Sequence, residues 1–243
     1  MKAFWRLLKV EFKLVLRSID VVLFAVLMPV VVMVVIGLIY GRPDEGDGMV
    51  QLSMGAFLSI GVAAVGLMGL PLTLAEYRSR KVLKRLSVTP IHPGTLLAVQ
   101  MIAQAAVSLL SALLVVVAGM LLFGYELQAP LVPVLATYLF VMLSIFSIGL
   151  MIASTARDVK RAGMIASLLY FPMLIFSGTT IPFSAFPEIV QRVTVVLPLR
   201  HGIEVLSAAL NGGPAEGASF VLLAGLALVA IVVSLKTFRW DME

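Results

Sequence analysis

The stretch Leu96–Phe123, LLAVQMIAQAAVSLLSALLVVVAGMLLF, contains no ionisable side chain anywhere along its length. A helix that crosses about 30 Å of hydrocarbon needs about 20 mostly apolar residues, because each residue advances the helix by about 1.5 Å. This stretch exceeds that requirement, so we expect a helix that is tilted or extends beyond the bilayer. It predicts a protein whose main solvent is lipid.

The composition of the whole chain agrees with that prediction. Hydrophobic residues make up 61% and charged residues 13% of the 243 positions, and the mean hydropathy is +1.09. A soluble domain is about half apolar and about a quarter charged. We therefore predict an all-α integral membrane protein with one transmembrane domain over residues 1–243. Its six predicted spans are Val21–Tyr40, Leu52–Leu74, Leu96–Phe123, Leu131–Ala153, Gly163–Ile181 and Ala218–Leu235.

The basic residues are divided unevenly between the two sides of this arrangement. Arg42, Arg192 and Arg200 fall on one side, and the remaining 15 of the 18 Lys and Arg residues fall on the other. Because Lys and Arg concentrate in cytoplasmic loops, we expect both termini in the cytoplasm. The formal net charge of +5 is then explained by topology and lipid headgroups, so no nucleic-acid partner is expected.

Residues 1–18 predict an amphipathic helix that lies in the membrane interface. Its basic residues recur every three or four positions and form one narrow stripe, while apolar residues cover the rest: Lys2, Arg6, Lys9, Lys13 and Arg17. Such a helix points its basic face at headgroups and its apolar face at acyl chains. Glu11 falls within the apolar face. It is either a tolerated carboxylate near a helix end or a buried partner of a basic residue from another element.

Residues 76–93 join spans two and three on the cytoplasmic side. The charged run Glu76–Leu86, EYRSRKVLKRL, contains good helix formers, and Thr89-Pro90 and Pro93-Gly94 end it. Two interpretations remain open here. The segment is either a solvated loop that fixes topology or a helix that docks a cytoplasmic partner.

Residues 182–214, on the outer side, are too long for a simple turn. Pro187 and Pro198 each precede a stretch with helical spacing, and Asn211-Gly212-Gly213-Pro214 ends the second stretch. Leu199, Ile203, Leu206 and Leu210 form an apolar stripe on it. We therefore predict two short re-entrant helices that dip into the outer leaflet before the last span.

Span two is rich in small residues, including Gly55, Gly61, Gly66 and Gly69. Small residues allow two helices to approach closely in a membrane. This pattern favours close packing within the chain, with a substrate path as the alternative.

Several kinds of chemistry lack the residues that they need. There is no cysteine and only two histidines, so we expect neither a disulfide nor a metal site. No Gly-Lys dipeptide and no Gly-x-Ser-x-Gly motif occurs. Spans one, three and six contain no Asp, Glu, Lys, Arg or His, which argues against a proton-coupled pump and an intramembrane protease. We therefore expect a chain that is not an enzyme and that takes any energy it uses from a partner.

Together these features resemble the ABC type-2 transporter permeases, the six-span membrane subunits of bacterial ABC exporters. The resemblance covers nearly the whole chain and depends on the order of short motifs: Glu76, Leu83-Lys84-Arg85-Leu86, Thr89-Pro90-Ile91, Phe176-Ser177-Gly178, Ile181-Pro182, Phe186-Pro187, Leu197-Pro198-Leu199 and Asn211-Gly212-Gly213. One departure is Lys81, because the family usually has a glycine shortly before the Leu-Lys-Arg-Leu run.

The resemblance implies an ATP-driven exporter in the bacterial plasma (inner) membrane. A separate ABC ATPase subunit would bind ATP and Mg, and this chain would bind no cofactor. Its other partners would be membrane lipid and a second copy or paralogue, with spans two and five near the seam. The substrate would be amphipathic, such as a drug, antibiotic, peptide or lipid-like molecule. The alternatives are an exporter of polysaccharide or ions, a membrane scaffold or assembly factor without a transported substrate, and an intramembrane enzyme.

The resemblance also implies the functional residues. The coupling segment, Glu76–Leu86, would contact the ATPase through Glu76, Arg78, Lys81, Val82, Leu83, Lys84, Arg85 and Leu86. A second cytoplasmic contact would come from Arg157, Asp158, Lys160 and Arg161. The outer helices would form a gate that includes Pro182, Phe186, Pro187, Pro198 and Leu199.

Overall fold

The computed structural model describes residues 2–17, 22–40, 49–82, 93–177 and 187–237. Within these ranges the regular secondary structure is helical throughout, which confirms the predicted all-α class. We number the helices in chain order: α1 (Lys2–Arg17), α2 (residues 22–40), α3 (Met49–Ser79), α4 (Pro93–Phe123), α5 (Leu131–Thr155), α6 (Val159–Phe176), α7 (Glu188–Thr194), α8 (Pro198–Leu210) and α9 (Gly217–Thr237).

Five of these helices, α3, α4, α5, α6 and α9, are long and apolar enough to cross a membrane. The chain is therefore a multi-pass membrane protein. The predicted first span corresponds to α2, whose apolar part Leu23–Ile39 is shorter. The predicted fifth span begins earlier than expected, at Val159, because the Asp158 side chain caps α6 by accepting a hydrogen bond from the Arg161 amide at 2.8 Å.

Two of the apolar helices contain a π-helical segment, and each segment ends two residues before a proline. In α2 the segment is Val22–Leu27, followed by Pro29, and in α3 it is Ala64–Gly69, followed by Pro71. Proline lacks an N–H group, and its ring collides with the carbonyl four residues earlier in an ordinary helix. The wider turn before each proline lets the helix continue through it.

Helix α3 forms the centre of the bundle. Every residue from Met54 to Leu67 is buried, and the helix packs against α2, α4, α5, α6 and α8. A helix that is buried on all sides belongs to the core. This stretch of span two therefore has no exposed side chain for a second copy, and the expectation that spans two and five lie near a seam stays a prediction.

Glycines bring α3 into contact with its neighbours at backbone level. A Cβ atom at Gly149 of α5 would collide with the Gly66 carbonyl oxygen, and one at Gly66 would lie 2.7 Å from Cδ1 of Phe146. A Cβ at Gly55 would collide with Ser207 of α8. Of the two interpretations of the small residues, close packing within the chain is confirmed.

Helices α7 and α8 confirm that residues 182–214 contain two short helices. Pro187 precedes α7, and Pro198 occupies the first turn of α8. Helix α8 ends at Asn211, and Gly212 has a φ of +68°, which glycine adopts without a steric penalty.

The backbone contact between α3 and α5 predicts a large effect of one added methyl group. Gly149→Ala should lower the free energy of unfolding by about 1–3 kcal/mol, because the methyl group cannot fit against the Gly66 carbonyl. Gly225→Ala in α9 is the matched control, since among the described residues no neighbouring atom lies within 4 Å of a Cβ built there. Thermal unfolding in detergent should show a lower Tm for the first variant only. Equal Tm values would contradict the packing.

Candidate functional site

One end of the bundle carries the segments that were predicted to contact an ATPase, and we call it the basic end. It consists of the last turns of α3, the first turns of α4 and the connection between α5 and α6. The opposite end carries α7, α8 and the connection between α4 and α5.

Glu76 lies in the last turns of α3 and not on a separate helix. Helix α3 continues through Ser79, and the Arg80 amide donates a hydrogen bond to the Glu76 carbonyl at 2.9 Å. The chain turns at Arg80 and Lys81, so the expectation of one helix over Glu76–Leu86 is wrong. The Glu76 carboxylate and the Arg80 guanidinium form an exposed ion pair at 2.6 Å.

Lys81 explains why the chain turns there. Its φ is +58°, and among the described residues no other residue except glycine has a positive φ. Its amide donates to the Arg78 carbonyl at 2.9 Å and closes the turn after the helix. The left-handed region favours glycine. Lys81, which stands where the family usually has a glycine, therefore adopts a backbone conformation that favours glycine.

Arg78 is buried inside the chain, which corrects its expected role as a surface contact. Its Nη1 donates to the Ala153 carbonyl at 3.1 Å and to the Ala156 carbonyl. These carbonyls lie at the end of α5, where the helix dipole favours a positive charge. Arg78 thus joins the end of α3 to the end of α5.

The two predicted contact segments lie side by side at the basic end. Ala75 of α3 forms a small buried cluster with Ala156 and Ala162, and Leu72 packs against it. The charged side chains point outward from this cluster. We define the basic surface as five exposed residues, Arg80, Lys81, Arg157, Lys160 and Arg161.

The structure places the remaining predicted contact residues differently. Asp158 caps α6, and its side chain also lies 3.7 Å from the Arg161 guanidinium. Val82 is half-buried beside Lys81. The predicted contacts Leu83, Lys84, Arg85 and Leu86 lie outside the described residues.

Glu11 of α1 is buried, and its partners in the described part of the chain are neutral. The Tyr77 hydroxyl donates to Glu11 Oε2 at 2.6 Å, and the Gln100 side-chain amide donates to the same oxygen at 2.8 Å. We call this three-residue contact the Glu11 junction. Burial is confirmed, whereas no basic partner of Glu11 is found among the described residues. Burial raises the pKa of the Glu11 carboxyl above its ordinary value, and the two hydrogen bonds lower it in part.

A polar stripe on α4 escaped the sequence analysis. Gln100, Gln104, Ser108 and Ser111 recur every three or four residues, and all are buried. Gln104 lies 3.4 Å from the Thr73 hydroxyl, and the Ser108 and Tyr138 hydroxyls lie 2.8 Å apart. The spacing could have shown this stripe, but the high average hydropathy of the span concealed it.

The opposite end contains the predicted gate residues Pro187, Pro198 and Leu199. Pro187 caps α7, while Pro198 and Leu199 are buried in the core of this chain. Pro182 and Phe186 lie outside the described residues. The buried positions of Pro198 and Leu199 suit residues that anchor α8 among the spans.

Another polar cluster, which the sequence analysis did not find, holds α8 against α9. His201 Nδ1 lies 2.8 Å from the Ser219 hydroxyl, and His201 Nε2 lies 2.6 Å from the Val195 carbonyl. The Ser219 hydroxyl donates to the Glu204 carboxylate at 3.0 Å. A carbonyl only accepts, so Nε2 must carry a proton. The cluster thereby gives each of the two ring nitrogens of the buried His201 imidazole a hydrogen-bond partner.

Comparison with known proteins agrees with this architecture. The family model described as "ABC-2 type transporter" matches residues 2–211. The chain belongs to this family. As an ABC-2 permease it is the membrane component of a transporter and not itself the catalytic subunit, and permeases of this family work with a separate ATPase subunit.

Several curated relatives carry more specific names. Nodulation protein J of Rhizobium meliloti is 26% identical over 180 residues, which cover 74% of this chain and 68% of that protein. The probable doxorubicin resistance ABC transporter permease protein DrrC of Mycobacterium tuberculosis is 24% identical over 224 residues, covering 89% of this chain and 79% of that protein. The inner membrane transport permease YhhJ of Escherichia coli is 28% identical over 177 residues, covering 68% and 46%, respectively.

The left-handed Lys81 predicts an unusual response to glycine in this permease. Lys81→Gly should raise the free energy of unfolding by about 1 kcal/mol, because it removes the steric penalty of the positive φ. Arg80→Gly, one residue earlier, should lower it, because Arg80 has a negative φ and is paired with Glu76. Thermal unfolding of both variants in detergent tests this contrast. A lower Tm for Lys81→Gly would contradict it.

Proposed function

We propose that this chain is the membrane-spanning subunit of an ATP-driven exporter in the bacterial plasma membrane. It moves an amphipathic substrate, such as a drug, antibiotic, peptide or lipid-like molecule, out of the cytoplasm. The observation that carries this proposal is the attachment of the basic surface to α3. A force applied there reaches the buried centre of the bundle along one continuous helix.

The proposal includes six spans with both termini in the cytoplasm. Helix α2 covers 19 residues, which is about 28 Å at 1.5 Å per residue and is close to the thickness of the hydrocarbon core. With α2 as the first span, the basic end faces the cytoplasm, as the positive-inside rule requires.

The outer helices are proposed to be re-entrant, and the packing of α9 supports this. The Ser154 and Thr237 hydroxyls lie 2.8 Å apart, and the rings of Phe140 and Phe220 lie 5.4 Å apart. These pairs indicate that α9 runs parallel to α5 and begins about three to six residues, or roughly 5–9 Å, further into the bundle. Since His201 of α8 contacts Ser219 near the start of α9, α8 enters the outer leaflet and closes the external end.

The proposed partners follow from the surfaces of the chain. The basic surface suits an ATPase with an acidic groove, and that subunit binds ATP and Mg. The exposed stripe Met164, Leu168, Phe171 and Ile175 of α6 suits a second permease copy or a paralogue. The exposed basic side chains Arg6, Lys9 and Lys13 of α1 suit anionic headgroups.

The absence of cysteine from the sequence allows a direct test of orientation. In intact cells a membrane-impermeant maleimide should label Gln128→Cys, in the connection between α4 and α5. It should label Arg157→Cys, in the connection between α5 and α6, only after permeabilisation. Labelling of Arg157→Cys in intact cells would invert the proposed topology.

The pair Glu76 and Arg80 offers a matched test of ATPase docking. Glu76→Ala and Arg80→Ala each break the same exposed ion pair, so both should leave Tm nearly unchanged. If Glu76 enters the ATPase interface, its loss should lower ATP hydrolysis by the complex at least about tenfold. Arg80→Ala should stay within about twofold of the wild type, because its side chain is 73% exposed and we place it at the solvent-accessible rim of the interface.

The assay uses the co-purified permease–ATPase complex in liposomes, with doxorubicin as the transported probe because one relative's name refers to resistance to it. Equal hydrolysis by both variants would leave Glu76 outside the interface. A permease that neither retains an ATPase nor transports any tested probe would favour the scaffold alternative.

A further inference from the structure

The Glu11 junction joins α1 to the end of α3 and the start of α4, and we call these two helix ends the stems. Tyr77 lies four residues before Lys81, where the chain leaves α3, and Gln100 lies seven residues after Pro93, where α4 begins. Both side chains donate to one carboxylate oxygen, Oε2 of Glu11. One buried atom of α1 therefore holds the two helices between which residues 80–92 run.

The Glu11 junction holds α1 by hydrogen bonds to a buried carboxylate, whereas apolar packing would be enough to attach a helix. An apolar side chain would anchor α1 in the core without the cost of burying a carboxyl group, as Val15 does one turn further along. Apolar packing sets no donor–acceptor direction, whereas hydrogen bonds to one oxygen fix both the direction and the distance of the contact. A carboxylate only accepts, so it can take both donors at once.

The orientation of the Gln100 side chain depends on its hydrogen bond to Glu11. Its Nε2 donates to Glu11, while its buried Oε1 has no hydrogen-bond partner in the described part of the chain. Because Oε1 makes no hydrogen bond to the described residues, the hydrogen bond from Nε2 to Glu11 is the one that orients the amide.

We propose that Glu11 is a positioning residue for energy coupling. By holding Tyr77 and Gln100, it makes α1 and the two stems move as one body when the ATPase acts on the coupling segment. The inference depends on the proposed export function. It assigns to α1 a role in transmission beyond attachment to the membrane surface.

The decisive measurement is the amount of doxorubicin transported per ATP hydrolysed by the permease–ATPase complex in liposomes. Glu11→Ala removes the shared acceptor, and the ratio should fall about tenfold. Glu11→Gln keeps the size and an acceptor oxygen, and the ratio should stay within about twofold of the wild type. Tyr77→Phe should lower the ratio, and Glu11→Ala combined with Tyr77→Phe should be no worse than Glu11→Ala alone. Val10→Ala, an exposed neighbour on α1, controls for truncation.

A second measurement needs no substrate. Nitroxide labels on Lys9→Cys and Ser79→Cys, both exposed positions, report the distance between α1 and the end of α3. The distance distribution should broaden with Glu11→Ala and remain narrow with Glu11→Gln and Val10→Ala.

The outcomes separate the two proposals. Absence of ATP-driven transport by the wild type would refute the export function and, with it, this role of Glu11. Normal wild-type transport with an unchanged ratio in Glu11→Ala would refute the inference alone. Equal losses in Glu11→Ala and Glu11→Gln would also refute it, because the charge and not the hydrogen-bonded position would then matter.

Discussion

The contact between the Gly66 carbonyl and Gly149 fixes the position of α3, on which the other helices depend. Without a side chain on either residue, the two helices meet backbone to backbone, and Phe146 packs beside them. Gly66 lies within the π-helical segment before Pro71. This segment accommodates the proline, which would interrupt an ordinary helix, and α3 therefore continues to Ser79. The basic end is thus an extension of the most deeply buried helix, and any displacement there has to involve the core.

Polar side chains within the bundle impose a second constraint on how the helices pack. Lipid cannot form the hydrogen bonds that these side chains would make with water, so they need partners within the protein. Gln104, Ser108 and Tyr138 are placed where each meets a partner on another helix, which restricts how the helices can rotate. Apolar contacts alone would leave several rotations of similar energy. The polar stripe of α4 therefore contributes more to the choice of one arrangement than to the total free energy of unfolding.

Hydropathy predicted most of the helices, because the length and apolar character of a span are local properties of the sequence. The two short outer helices were also predictable, since Pro187, Pro198 and Gly212 act through their own backbone preferences. The partners of Arg78 and Glu11 were not, because each contact joins residues at least 66 positions apart. Charge patterning assigned Arg78 to the surface, whereas the free carbonyls at the end of α5 attract its guanidinium inward. One feature could have predicted the turn at Lys81, namely that the family usually has a glycine there.

Three attachments among the described residues hold the basic end, and they differ in kind. Arg78 holds the end of α5 through charge-assisted hydrogen bonds, and the cluster of Ala75, Ala156 and Ala162 holds the start of α6 through close packing. The Glu11 junction holds α1 and α4. Charge-assisted and packed contacts tolerate little displacement before they break. A force on the basic surface is therefore shared among α1, α4, α5 and α6 before α3 can move alone. Under the proposed function, the ATPase thus displaces several helices together.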